Sequence, residues 1–241
     1  NELYNNASEF YRAENGQPIG YFWGYKTAGI FQDTQEIDEW RAAGNGILQS
    51  NVQPGDVRFV DRNHDGQINN KDKVNLGNGT PDFTLGLNLG FVYKGFDFSI
   101  VANGAFGQQI VQSYRNHTRP TPNYTTAILD RWHGEGTSNR IPRVTDSNIN
   151  YQFSDLFIQN GDYLRLSTLT LGYDFAKLFK GKAVSQARLY FQVQNLFTIT
   201  GYDGMDPEIG FGSSNNSWVS GLDYGYYPRP RTVLVGVNLK F

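Results

Sequence analysis

The stretch Asp61-Arg62-Asn63-His64-Asp65-Gly66-Gln67-Ile68-Asn69-Asn70-Lys71-Asp72 has residue types and spacing that specify a definite chemistry. It follows the calcium-loop pattern D-x-[DN]-x-[DN]-G-x5-E, with Asp in place of the closing Glu. Calcium prefers oxygen ligands, and Asp61, Asn63 and Asp65 stand at positions one, three and five of such a loop. Gly66 permits the sharp turn, Gln67 offers its backbone carbonyl, and Asp72 closes the shell. Ile68 is expected to pin the loop to apolar surface nearby. The predicted ligand set is therefore Asp61, Asn63, Asp65, Gln67 and Asp72. The ion would be structural, ordering the long segment around it with an affinity on the order of 10⁻⁴ to 10⁻³ M. Arg58, Arg62, Lys71 and Lys73 offset Asp56, Asp61, Asp65 and Asp72, and Asp72 is shorter than Glu, so the same residues also suit a solvated turn without an ion.

Other reactive constellations are missing from the sequence. There is no cysteine, hence no disulfide framework and no thiolate chemistry. His64, His117 and His133 lack metal-type spacing, and no G-x-S-x-G elbow occurs. Asp130-Arg131-Trp132 reads as a loop ion pair beside a packed Trp. Tyr202, Trp218, Tyr224, Tyr226 and Tyr227 crowd one polar stretch, where packing or partner contact is favoured over stacking on sugars. The chain is thus predicted not to be an enzyme, and its net charge of −2 offers no basic stripe for nucleic acid.

The elements that must hold this loop are strands. Phe83, Leu85, Leu87, Leu89, Phe91 and Tyr93 share one parity, and Lys94-Gly95 turns the chain into Phe96, Phe98, Ile100, Ala102 and Phe106. Tyr163 to Phe175 is irregular, because Leu164 and Leu166 oppose Leu169, Leu171 and Tyr173 in parity. A bulge near Ser167-Thr168 reconciles them. Ala187 to Thr198 follows after a link through Lys180-Gly181-Lys182, and Val233, Val235, Val237, Leu239 and Phe241 alternate in the last strand. Two earlier stretches, Glu2 to Arg12 and Gln17 to Phe31, also read as strands, joined at Asn15-Gly16. Between the strands lie three polar excursions, 32–81, 108–162 and 199–229. The first contains a short helix capped by Thr34.

Long strands with one apolar and one polar or small face suit a bilayer-spanning β-barrel, whose strands need roughly ten residues to cross. The mean hydropathy of −0.51 excludes a helical membrane protein but not a barrel. Charged Asp97, Arg188 and Lys240 all avoid the apolar parity. Short turns alternate with long excursions, placing all three excursions outside the cell and the short turns inside. The alternative is a soluble, calcium-stabilised, β-rich extracellular binding module. Seven strands would leave hydrophobic edges unpaired, so the chain is expected to be the last third of a larger barrel.

Several blocks resemble the C-terminal region of SusC/RagA-type TonB-dependent transporters, in that family's order. They are G-Y-F-W-G-Y-K-T-A-G-I-F-Q (Gly20 to Gln32), G-D-V-R-F-V-D-R-N-H-D-G-Q-I (Gly55 to Ile68) and G-N-G-T-P-D-F-T-L-G-L-N-L (Gly77 to Leu89). They continue with D-R-W (Asp130 to Trp132), D-Y-L-R-L-S-T-L-T-L-G-Y (Asp162 to Tyr173), Q-N-L-F-T-I-T-G-Y (Gln194 to Tyr202) and Y-P-R-P-R-T (Tyr227 to Thr232). The resemblance implies an all-β fold, an antiparallel transmembrane β-barrel of about 22 strands. Residues 1–241 would supply about seven of these, with the plug domain lying upstream. It further implies multi-pass residence in the outer membrane and active import of glycans or peptides. The implied partners are TonB, membrane lipid, the cargo itself and a SusD-like surface lipoprotein acting as a lid.

Overall fold

The computed structural model of the chain describes residues 11–113, 126–145, 148–178, 184–209 and 220–241. In chain order the elements are β1 (Tyr11–Arg12), β2 (Tyr21–Gly24), β3 (Thr27–Ile30), α1 (Thr34–Ala42), β4 (Val57–Phe59), β5 (Val74–Asn78), β6 (Phe83–Tyr93) and β7 (Phe96–Phe106). There follow β8 (Gln109–Gln112), β9 (Ile158–Asn160), β10 (Tyr163–Asp174), β11 (Gln186–Thr200), β12 (Leu222–Asp223) and β13 (Thr232–Lys240). They divide between two compact units. One comprises 1–79, 109–159 and 209–225, the other 80–108, 160–208 and 226–241.

The second unit is a five-stranded antiparallel sheet in the order β13-β11-β10-β7-β6. Its register lines up apolar side chains strand after strand. Phe91, Phe98, Leu171, Phe191 and Val235 form one row, and Leu89, Ile100, Leu169, Val193 and Val233 the next. Rows on the opposite face hold Gly90, Ser99, Thr170, Gln192 and Leu234, then Asn88, Val101, Thr168, Gln194 and Thr232. Side chains alternate across a strand, so the register itself produces one greasy and one mostly polar face.

The irregularity in β10 is a shift between Leu166 and Thr168. One extra residue there restores Leu164 and Leu166 to the face occupied by Leu169 and Leu171, as the parity reversal demands. Lys94 and Gly95 turn with φ of 49° and 94°, the left-handed pair of a two-residue hairpin that matches strand twist.

The first unit gathers what the sequence showed as separate excursions. Tyr11, Phe22, Leu76, Val111, Phe153 and Leu222 form one buried cluster. Tyr25, Val57, Phe59 and Ile68 form a second. The sheets are small: β1-β2-β5, β12-β8-β9 and β3-β4. Burial of the Tyr11 and Tyr25 rings pushes both phenols above their ordinary range, with Tyr224 adding at Tyr11 and the charge of Asp72 adding at Tyr25.

Two expectations need correction. Among the described residues the long sheet holds five strands, and β1, β2 and β3 lie in smaller sheets. The stretch from Gln17 to Phe31 breaks into β2 and β3, which belong to different sheets of the first unit. The physical reason is visible in its burial. Tyr21 and Phe22, then Ile30 and Phe31, are neighbours of opposite parity and all are buried, which suits a strand covered on both sides. Gly24 is needed there because a Cβ would lie 2.7 Å from Phe153. Of the first predicted strand, residues 2–10 lie outside the described residues, as do the link at 180–182 and Trp218. The second correction concerns the helix cap. Asp33, not Thr34, caps α1, its carboxylate accepting the Glu36 N–H at 2.7 Å.

Candidate functional site

The long sheet offers two surfaces of different chemistry. On the apolar side Leu85, Leu89, Val233 and Val237 are 44%, 53%, 58% and 56% exposed, so no core built from the described residues covers them. A contiguous apolar face of this kind marks a surface meant for lipid or another partner. On the polar side the Arg188 guanidinium donates two bonds to Asp97, Nε at 2.8 Å and Nη2 at 2.5 Å, and lies 4.8 Å from the Tyr190 ring centre. Gly172 sits between Asp97 and Tyr190 in the register, and a Cβ there would strike both Asp97 and Arg188. Gly236 likewise leaves room for the Tyr190 ring. Nearer the other end, buried Arg165 reaches Asp206 at 2.5 Å and Glu208 at 2.9 Å, and Glu208 also meets Arg229 at 2.8 Å. This charged group ties residues 206–208 to β10.

The predicted calcium loop lies wholly within the first unit. Gly66 adopts φ of 77°, as its position in the loop requires. Asp61 Oδ2 accepts the N–H of Gly66 at 2.8 Å and that of Gly46 at 3.0 Å. Asp61 is only 1% exposed, and its Oδ1 is buried without a hydrogen-bond partner among the described residues. Asn63 Oδ1 accepts the Asp65 N–H at 3.1 Å, and its Nδ2 donates to Asp65 Oδ2 at 2.8 Å. Asp65 Oδ1 accepts the Gln67 N–H at 3.0 Å.

Asp72, fully buried, accepts from Arg62 N–H at 3.0 Å through one oxygen and from Asn69 N–H at 2.8 Å through the other. The five residues thus share one loop. Among the described residues, however, no three His, Cys, Asp or Glu side chains converge on a common metal position, so Asp61, Asp65 and Asp72 are not a preassembled carboxylate triad. Ile68 is buried beside Tyr25, Val57 and Phe59, as its role in pinning the loop requires.

Sequence reasoning did not find Asp56, which organises the first unit. Its buried carboxylate accepts Arg143 Nε at 2.7 Å, Asn150 Nδ2 at 2.8 Å and Gln53 N–H at 2.9 Å. Asn150 Oδ1 in turn accepts the Val57 N–H at 3.0 Å. The bond joins positions far apart in the chain, and its only local signal is an Asp placed just before an apolar strand. Asp130-Arg131-Trp132 has no catalytic geometry. The Trp132 indole donates to Gln32 Oε1 at 3.2 Å and Arg131 to the Ile128 carbonyl at 3.3 Å. Of the aromatic cluster, Tyr202 is buried while Tyr227 is 87% exposed.

No family model matches the chain. Among curated proteins, TonB-dependent receptor P3 of Formosa agariphila is 34% identical over 94% of this chain, which covers 22% of that protein. TonB-dependent receptor SusC of Bacteroides thetaiotaomicron is 31% identical over 81% of this chain and 18% of its own length. Among solved structures, the RagAB peptide importer in its open-open state matches with a TM-score of 0.66 at 21% identity, over 97% of this chain and 24% of that one. The chain therefore spans about a fifth to a quarter of the proteins it matches. These relatives are receptors and transporters rather than enzymes. Over most of its length the chain is thus similar in sequence to one part of TonB-dependent receptors, SusC among them, and in fold to one part of the RagAB importer.

Proposed function

We propose that the protein containing this chain is an outer-membrane importer driven through TonB, and that these residues supply part of its barrel wall. The exposed apolar face running across five antiparallel strands supports this reading most directly. A soluble binding module would bury that face. In the importer it meets hydrocarbon, while the polar face carrying Asp97, Arg188 and Tyr190 lines the interior. The first unit, assembled from the segment that precedes the long strands and from two segments between them, is the portion that meets a SusD-like surface lipoprotein and the cargo, a glycan or peptide too large for simple pores.

Affinity-tagged full-length receptor, extracted from outer membranes in detergent, should bring down a surface lipoprotein. Its deletion should abolish growth on one class of oligomer, peptide or glycan, while growth on the monomer persists. Recovery of the receptor from the soluble fraction would end the reading.

A further inference from the structure

We propose that the loop from Asp61 to Asp72 binds a calcium ion anchored on Asp61 Oδ1, with Asp72 acting as a brace rather than as the principal closing ligand. The buried oxygen carries this inference. Asp61 is 1% exposed, its Oδ2 is held by two backbone N–H groups, and its Oδ1 has no hydrogen-bond partner among the described residues. A buried carboxylate oxygen left bare is costly, so burial there calls for a donor or a cation, and the oxygen-rich spacing of the loop favours the cation. Gly66, inside the loop, donates to the other oxygen of the same carboxylate, so the Asp61 carboxylate is held against the loop's own turn.

The remaining donors are all hard oxygens: the amide oxygen of Asn63, the carboxylate of Asp65 and the carbonyl of Gln67. That set suits calcium, which accepts six to eight such ligands in flexible geometry, better than magnesium, which demands a near-ideal octahedron. Asn63 and Asp65 at present satisfy each other and the backbone of the loop. They lie at its exposed mouth, free to exchange a weak amide contact for the ion. Asp72 is occupied differently. Its two oxygens hold the N–H groups of Arg62 and Asn69, near either end of the loop, and Asn69 returns a cap to Lys71. It fixes the loop's span from behind.

The consequence reaches past the loop. Gly46 donates to Asp61, and its own Cβ position lies 2.7 Å from the Gln67 backbone, so any side chain there would displace the loop. Trp40 of α1 donates to the Gly46 carbonyl at 3.2 Å. Ion binding at Asp61 would therefore order the exit of α1 and the loop together.

The test is calcium titration by calorimetry on the full-length, detergent-solubilised receptor, with limited proteolysis in calcium or in chelator. Saturable binding in the millimolar to submillimolar range is expected, together with protection of 40–72 by calcium and a much weaker effect of magnesium. Asp61→Asn and, at the exposed mouth, Asp65→Asn should each weaken binding by tenfold or more. Asp38→Asn, exposed on α1, should leave it unchanged. Asp72→Asn should raise protease sensitivity even in saturating calcium, a readout that a simple loss of ligation would not move. Asp65→Asn keeps the test open if Asp61→Asn fails to fold, and heat-modifiable migration reports the barrel independently. Wild-type affinity in both Asp61→Asn and Asp65→Asn, equal response to magnesium, or no saturable heat would overturn the proposal without touching the transport reading.

Discussion

Placing one charge on either side of the long sheet separates a lipid-facing surface from an internal one. Ile100 lies near the middle of β7, on the apolar face, between Leu89 of β6 and Leu169 of β10. Ser99, its neighbour, lies on the other face between Gly90 and Thr170. An arginine facing lipid at the bilayer midplane costs about 2–4 kcal/mol in a transmembrane barrel. At 1.4 kcal/mol per decade this is roughly a thirty- to thousand-fold loss in the folding equilibrium. Ser99→Arg replaces a small residue beside Gly90, whose Cα faces open space with no atom within 4 Å of where a Cβ would stand, and the guanidinium can reach water. Its cost should stay within about 0.5 kcal/mol, as for an ordinary surface change. Urea titration of the full-length receptor in phospholipid vesicles, followed by its heat-modifiable migration, measures both. Equal stability of the Ile100→Arg and Ser99→Arg variants, or a costlier Ser99→Arg, would refute the assignment of faces.

Further outcomes follow from the packing. Gly172→Val should drive Arg188 away from Asp97 and cost about 1–3 kcal/mol by overpacking, read by the same titration. Asp56→Ala should strip the partner from Arg143 and from Asn150, losing about 3 kcal/mol in the first unit. Limited proteolysis should then cut that unit while the long sheet stays intact. Buried Tyr11 and Tyr25 have phenols pushed above the unfolded value near 10, so their contribution is complete below about pH 10 and drains away as pH rises past it. Near-ultraviolet circular dichroism should show an alkaline transition of the first unit, and Tyr25→Phe should move its midpoint upward.

The long sheet was legible because each strand carries apolar side chains on one face and mostly polar or small ones on the other, and alternation records that directly. Even the bulge of β10 showed in the parity reversal between Leu166 and Leu169. The first unit was not legible in the same way. Its cohesion rests on pairs such as Asp56 with Arg143, and the Tyr11 hydroxyl donating to the Ser220 carbonyl at 2.8 Å, whose members are far apart in the chain and carry no periodic signal. Gln17 to Phe31 was misread for a related reason. Tyr21, Trp23 and Tyr25 mimic one-sided alternation, and burial of Phe22 between Tyr21 and Trp23 is set by distant Phe153 and Leu76. The loop from Asp61 to Asp72 stood between these cases. Bonds from Asp61 to Gly66 and from Asn63 to Asp65 are local and follow from spacing, whereas the approach of Gly46 depends on tertiary structure.

A single cluster is shared by Tyr11, Phe22, Leu76, Val111, Phe153 and Leu222, drawn from stretches far apart in the chain. Those stretches cannot drift or be exchanged one at a time. A graft that swaps only the segment around Val111 leaves Phe153 and Leu222 facing the wrong shape. Any re-engineering of the surface they display must transplant all of them as a block.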